Sequence, residues 1–438
     1  MRRSVIPFTR SVICLALVCL TLAACATVPA SPRGQVVIAW HTLSGSHERV
    51  LLDLIDEWNR SNEWNITVVP ERREPSAFHG LMLKGIAQNA LPSLVLASPM
   101  QTAIYHQKGV VVPLNSLIND PAPEVGWTIN DRTDLYPFML KAGRAPDAKI
   151  LGIPFGGTVR LMFYNVDWLK TMNIDGAPSS WEQFSAACNS ATDRSKGTLC
   201  FGIDPTSIAF QQWLYAHGGQ VTTDDMSVLQ VSTPLAQAAM NRLAGFAQLG
   251  QAYRVTTRQQ SFDDFASSRV LFTFDWSDQL GALGAVVKQR ADFDWQPGLL
   301  PADEQKQFTQ YQAPLWVITR VPTAPNPDRE KAAWLFLHWL TANAQTSHWA
   351  EKTAELPARV SAINTMSARQ PLSPELMIVL QQIAPLARPE PLISGWRCVE
   401  NTLTNGLRQI FEGKPVTDTL QITQMTGQSE LNLDCSTQ

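Results

Sequence analysis

VVIAWHTLSGSHERVLLDLIDEWNRSNEWNITVV, residues 36–69, decides the fold. Residues 36–40 form a short apolar run rich in β-branched side chains, as a strand requires. Ser46 can cap a following helix, with Glu48 in its first turn. Val50, Leu51, Leu54, Ile55 and Trp58 then recur at the spacing of one helical face. Residues 66–69 (ITVV) read as the next strand, 78–87 as a helix and 93–97 (SLVLA) as a buried strand. Residues 102–107 are helical, and Gly109 stops them before 110–112. This βαβαβ order predicts a largely parallel sheet with helices on both faces. Such sheets take ligands beyond the carboxyl ends of their strands. The loops at 41–46 and 98–101, which hold His41, Ser44, Ser98 and Gln101, are therefore the first candidate site.

Further along, 151–165 (LGIPFGGTVRLMFYN) opens on a Gly- and Pro-containing kink and continues as a strand, a plausible crossing between two bodies. Residues 181–249 are mainly helical, with breaks near 200–202 and at Gly218-Gly219. Residues 270–274 (VLFTF) and 315–319 (LWVIT) read as strands, 330–340 as an amphipathic helix, and the remainder as helical.

The composition fits an exported globular protein. A chain of 438 residues predicts two or three core-forming units. Its 45% hydrophobic content excludes intrinsic disorder. A formal charge of -3 lacks the basic face that nucleic acid requires. Arg2 and Arg3 precede an apolar run, 11–24 (SVICLALVCLTLAA), of signal-peptide length. The run is shorter than the roughly 20 residues of a bilayer span. It ends in Leu22-Ala23-Ala24-Cys25, which resembles a bacterial lipobox, whose Cys becomes the lipidated first residue; an ordinary secretory cut after small residues is the alternative. Residues 1–24 are thus expected to be a signal peptide and 25–35 a lipid anchor and tether, placing the body outside the cytoplasmic membrane. Cys14 and Cys19 leave with the signal, so Cys188, Cys200, Cys398 and Cys435 remain. An even number in an exported chain predicts two disulfides, with sequence neighbours as the simplest pairing. The Cys and His spacings support no metal site, and no cofactor is expected.

Several segments together resemble the extracellular solute-binding lipoproteins of bacterial ABC importers, in the group that includes maltose- and glycerol-3-phosphate-binding proteins. They are Trp40-His41 with Ser44-Gly45, then 109–114 (GVVVPL), then Ile153-Pro154-Phe155 with 162–165 (MFYN) and 181–184 (WEQF). Later come 335–340 with Leu356-Pro357-Ala358-Arg359, and 413–416 (GKPV) with Leu420. Their order and spacing carry the resemblance more than any one of them. It implies an α/β, two-lobed periplasmic-binding-protein-like fold of type II. Each lobe would be a mostly parallel sheet flanked by helices, joined by a multi-crossing hinge. Lobe one would take 36–155 and 276–327, and lobe two 160–272 and 330–438. Hinge crossings would fall near 157–160, 272–275 and 327–330. A monomer working with membrane permease subunits is implied.

A sugar or polyol needs aromatic faces for its C–H surfaces and fixed polar groups for its hydroxyls. Trp58, Trp334 and Trp339 sit at helical core spacing. Trp213, Trp276 and Trp396 match positions where the family lines its cleft. Gly157 and Thr158 match the hinge position where the family places a polar ligand contact, Ser277 a hydroxyl at the second crossing, and Gln312 precedes the strand of the third ligand loop. Pro389-Glu390-Pro391 followed by Gly395-Trp396-Arg397 resembles the glycerol-3-phosphate-binding members, in which the Arg faces a phosphate. A guanidinium fork suits that group. Ser98 replaces the cleft Glu of those members, and Tyr311-Gln312 their paired Gly, so a sugar or a glycerophosphodiester suits this chain better than glycerol phosphate itself. A secreted hydrolase and a surface adhesin are the rival classes. The chain has no GxSxG, HExxH or P-loop pattern, and its adjacent acids at Asp224-Asp225 and Asp263-Asp264 read as solvated surface.

Overall fold

The computed structural model describes residues 32–302 and 307–435; the expected signal peptide, Cys25 and the start of the expected tether lie outside the described residues. Two sheets organise the chain. The first has four strands in the order β10-β3-β1-β2. Here β1 is Val36–His41, β2 Thr67–Arg72, β3 Leu94–Ala97 and β10 Leu315–Ile318. β1 pairs parallel with β2 and β3, and β10 runs antiparallel along β3. All four residues of β3 are buried, as a strand covered on both faces should be.

The helix Gly45–Ser61 buries Val50, Leu51, Leu54, Ile55 and Trp58, the face its spacing predicts. Its N-cap is Ser44 rather than Ser46, because Gly45 turns the chain at φ +65°. Residues 110–112 form only an isolated bridge, between Val111 and Thr319, and no strand.

The second sheet has seven strands, ordered β11-β9-β4-β7-β5-β6, with β8 also on β4. They are β4 (Thr158–Asn165), β5 (Leu199–Ile203), β6 (Ala252–Arg254), β7 (Val270–Trp276), β8 (Trp295–Gly298), β9 (Thr309–Gln312) and β11 (Ala387–Pro389). This sheet is mixed: β4 runs antiparallel to β7, β8 and β9, while β5 is parallel to β6 and β7. Alternate residues of β4 enter different cores, as a period of two dictates. Val159, Leu161 and Phe163 join the larger core, and Met162 and Tyr164 the smaller.

Residues 272–275 lie inside β7. Two placements differ from the boundaries drawn on the sequence. β8 and β9 pair with β4 and so belong to the second sheet. The helix Pro327–Leu340 packs on β1 and β10 of the first sheet. Its burial is nearly all-round, from Ala332 to Leu337, and the Trp334 indole donates to the Val125 carbonyl at 2.7 Å. The chain thus steps from second sheet to first between Gln312 and Leu315, and returns before the helix Trp396–Phe411.

Disulfides join Cys188 to Cys200 and Cys398 to Cys435, the neighbour pairing. The second closes a separation of 37 residues and ties the C-terminal segment to the helix Trp396–Phe411. Replacing Cys398 and Cys435 together by serine is expected to cost about 2–4 kcal/mol, read as a lower denaturant midpoint.

Candidate functional site

The helix Ser207–Ala216 presents two faces with different fates. Ile208, Gln211 and Tyr215, spaced three and four apart, share one side and line a cavity of about 40 Å³. Phe210 and Trp213 lie off that side and are fully buried. Trp213 stacks on Trp181 at 5.4 Å and packs against Phe184, Phe201 and Phe246. It is a core residue and does not line the cavity, against the expectation from sequence.

The remaining walls come from strand ends and one helix start. Trp276 ends β7; Gln310, Tyr311 and Gln312 come from β9; Arg388 and Pro389 from β11, followed by Glu390. Trp396 and Glu400 open the helix Trp396–Phe411 four residues apart, hence on one face. Arg397, one residue on, is rotated away, exposed and outside the lining. Two further cavities share this lining. One of about 60 Å³ continues past Tyr215, Arg388 and Glu390, and one of about 200 Å³ past Ile208 and Trp276.

Trp276 is fixed from behind. Asp275 accepts from the Trp276 backbone N–H at 2.8 Å and from Arg258 Nε at 2.8 Å. The Arg160 guanidinium lies 5.7 Å from the Trp276 ring centre and 3.6 Å from Asp275. Burial pulls Arg160 down to about 10, with Asp275 opposing the shift, so it remains a cation at neutral pH. Tyr311 is held by its hydroxyl, which donates to the Gly156 carbonyl at 2.6 Å. Gly157 is required here: a Cβ would meet the Tyr311 ring at 2.5 Å, and its φ is +150°.

The other expected residues serve the framework. Ser98 and Gln101 cap each other at the start of the helix Pro99–Gln107: Ser98 N–H donates to Gln101 Oε1 at 3.0 Å, and Gln101 N–H to Ser98 Oγ at 3.2 Å. The Ser277 hydroxyl accepts from Val159 N–H at 3.2 Å. Thr158 pairs with Gln312 across β4 and β9. His41 is buried at the end of β1, and burial lowers its pKa, so it is neutral at pH 7. Ser44 is exposed at the helix start. Of the twelve ligand positions expected from sequence, the cavity gathers Trp276, Gln312 and Trp396.

Sequence reasoning missed Tyr215, Tyr311, Arg388, Glu390 and Glu400. A signal existed for two of them: Glu390 lies inside the quoted Pro-Glu-Pro, and Glu400 is one helical turn from Trp396. Burial raises the Glu390 carboxyl far above the usual carboxylate range, and the charge of Glu400 adds to it. Burial also raises Glu400, against the charge of Arg397 and the Ser207 hydroxyl at 3.5 Å. A carboxyl raised on folding binds more protons folded than unfolded, so stability falls as pH climbs from the unfolded pKa toward the folded one. The ligand-free protein should therefore lose melting temperature between about pH 5 and about pH 8. Glu390→Gln should flatten that slope in a pH series of thermal melts.

Residues 53–372 match a family described as bacterial extracellular solute-binding protein. The sn-glycerol-3-phosphate-binding periplasmic protein UgpB of Yersinia pestis bv. Antiqua (strain Antiqua) is 21% identical over 348 residues, covering 74% of each chain. The protein of the same name from Brucella melitensis biotype 1 is 22% identical over 361 residues, covering 78% of this chain and 79% of that one. Among solved structures, the sugar-binding protein MalE of Xanthomonas citri superposes with a TM-score of 0.77 at 15% identity, covering 91% of this chain and 97% of the other. The cyclic alpha-maltosyl-1,6-maltose binding protein of Arthrobacter globiformis gives 0.76 at 17% identity, covering 90% and 98%. The chain has the two-lobed α/β fold of these proteins and belongs to the bacterial extracellular solute-binding protein family.

Proposed function

We propose that the chain captures a carbohydrate outside the cytoplasmic membrane and passes it, unaltered, to the permease of an ABC importer. One observation carries this reading: two indoles, two phenol rings and several amide and carboxyl groups wall a single cavity, as a hydroxyl-rich ligand with apolar C–H faces requires. The relatives, which include binders of maltose-type sugars and of glycerol 3-phosphate, support the ligand class. Sugar fits better than glycerol phosphate, because Arg397 is outside the cavity and two carboxyls stand inside it against one guanidinium, Arg388. The cavity groups bind and do not react, so the chain acts without catalysis. It works as a monomer, takes no nucleic acid, and is held to the membrane by a lipid on Cys25.

The two bodies that close on the ligand are built on the two sheets. The first takes 36–155 and 315–386, the second 158–312 and 396–431. Hinge segments lie at 156–158, 312–315 and 386–396. Ligand contacting both bodies stabilises the closed arrangement. Thermal shift against a panel of mono- and oligosaccharides, sn-glycerol 3-phosphate and glycerophosphodiesters tests the ligand class. A shift of several degrees with a sugar, and no product on prolonged incubation, is the expected result. Turnover of the sugar would identify a hydrolase, and no shift across the panel would favour an adhesin.

A further inference from the structure

Glu390 and Glu400 can accept from sugar hydroxyls, and they can also pair with a cation. Both line the cavity with Trp276, Trp396, Tyr215 and Tyr311, and burial disfavours charge on either carboxylate. One cation, Arg388, lines the cavity; its guanidinium lies 3.3 Å from the Phe308 ring centre and donates to the Gly219 carbonyl at 3.5 Å. Arg397 lowers Glu400 from the exposed side of its helix but does not line the cavity. Lys141 and Asp224 line only the adjoining cavity, on the Tyr215 side. Trp396 is 1% exposed, and its indole N–H has no partner among the described residues. The wall therefore combines paired acids, aromatic faces and an unused donor.

We propose that Glu390 and Glu400 select a polyhydroxylated ligand carrying an ammonium group, an amino sugar, over the matching neutral sugar, and close the cavity to a phosphomonoester. The inference rests on the carbohydrate reading above. An ammonium bound between the acids lets both ionise with a partner in place, and the rings add cation–π attraction. A phosphate dianion gives the acids no such partner and disfavours their ionisation further. Sugar hydroxyls are met by Gln211, Gln310 and Gln312.

The test is titration calorimetry with matched pairs: glucose and glucosamine, galactose and galactosamine, cellobiose and its diamino analogue, beside sn-glycerol 3-phosphate. The wild-type protein is expected to bind the amine of its preferred pair at least about tenfold tighter than the neutral member. Raising salt should shrink that ratio. Glu390→Gln and Glu400→Gln, each checked for folding by circular dichroism, should each lower it to about threefold or less. Equal affinity for both members in the wild-type protein, or tightest binding of glycerol phosphate, would overturn the inference. Neutral sugars binding without preference refute the inference alone. No binding by any sugar refutes the carbohydrate reading and this inference with it.

Discussion

Trp213→Ala is expected to destabilise the protein by about 3–5 kcal/mol, the range for removing a large aromatic from a closed core. Trp213 is fully buried in the smaller core, ringed by Trp181, Phe184, Phe201 and Phe246. These partners come from separate elements, including β5 and the helices Trp181–Ala191 and Pro234–Gln248, so they close only partly over the void. Ligand affinity of the folded variant should stay within about threefold, because Trp213 lies off the cavity side of its helix. Chemical denaturation reads the first quantity and calorimetry the second. A variant of normal stability with tenfold weaker binding would place Trp213 in the site.

Trp276→Ala should show the opposite pattern. The indole lines both the central cavity and the one beyond Ile208, and is preorganised by Asp275, Arg160 and Arg258. Loss of such a fixed aromatic face should weaken sugar binding by about ten- to a hundredfold, that is about 1.4–2.7 kcal/mol. Trp276→Phe should recover part of it, since a smaller ring keeps a stacking face. The quenching of Trp fluorescence by ligand should fall in both variants. Unchanged affinity in Trp276→Ala would remove the central cavity as the binding place.

Much of the fold was legible because periodicity reports burial directly. The face of the helix Gly45–Ser61 and the short runs at β1, β3 and β7 needed only spacing and side-chain type. The passage between bodies was less legible. The helix Pro327–Leu340 is apolar on nearly every side, so its pattern gave no direction to the sheet it covers. β8 and β9 are short and polar, and gain their place from pairing with β4. The site divides the same way. Trp276 and Trp396, singled out by residue type and position, line the central cavity. Trp213, singled out with them, packs in the core because of its helical face: it stands five residues from Ile208 and two from Gln211, off their shared side. Glu390 and Glu400 carry no local sign of their raised pKa, which arises from burial by segments far apart in sequence.

The most direct measurement is a crystal structure of the protein with the best-binding sugar from the panel. One sugar ring is expected between Trp276 and Trp396, within van der Waals distance of an indole face and within hydrogen-bond reach of Glu390 or Glu400. Density for an intact sugar at another place, such as the pocket beside Tyr164 and Gln296, would contradict the account, as would a cleaved sugar in the central cavity.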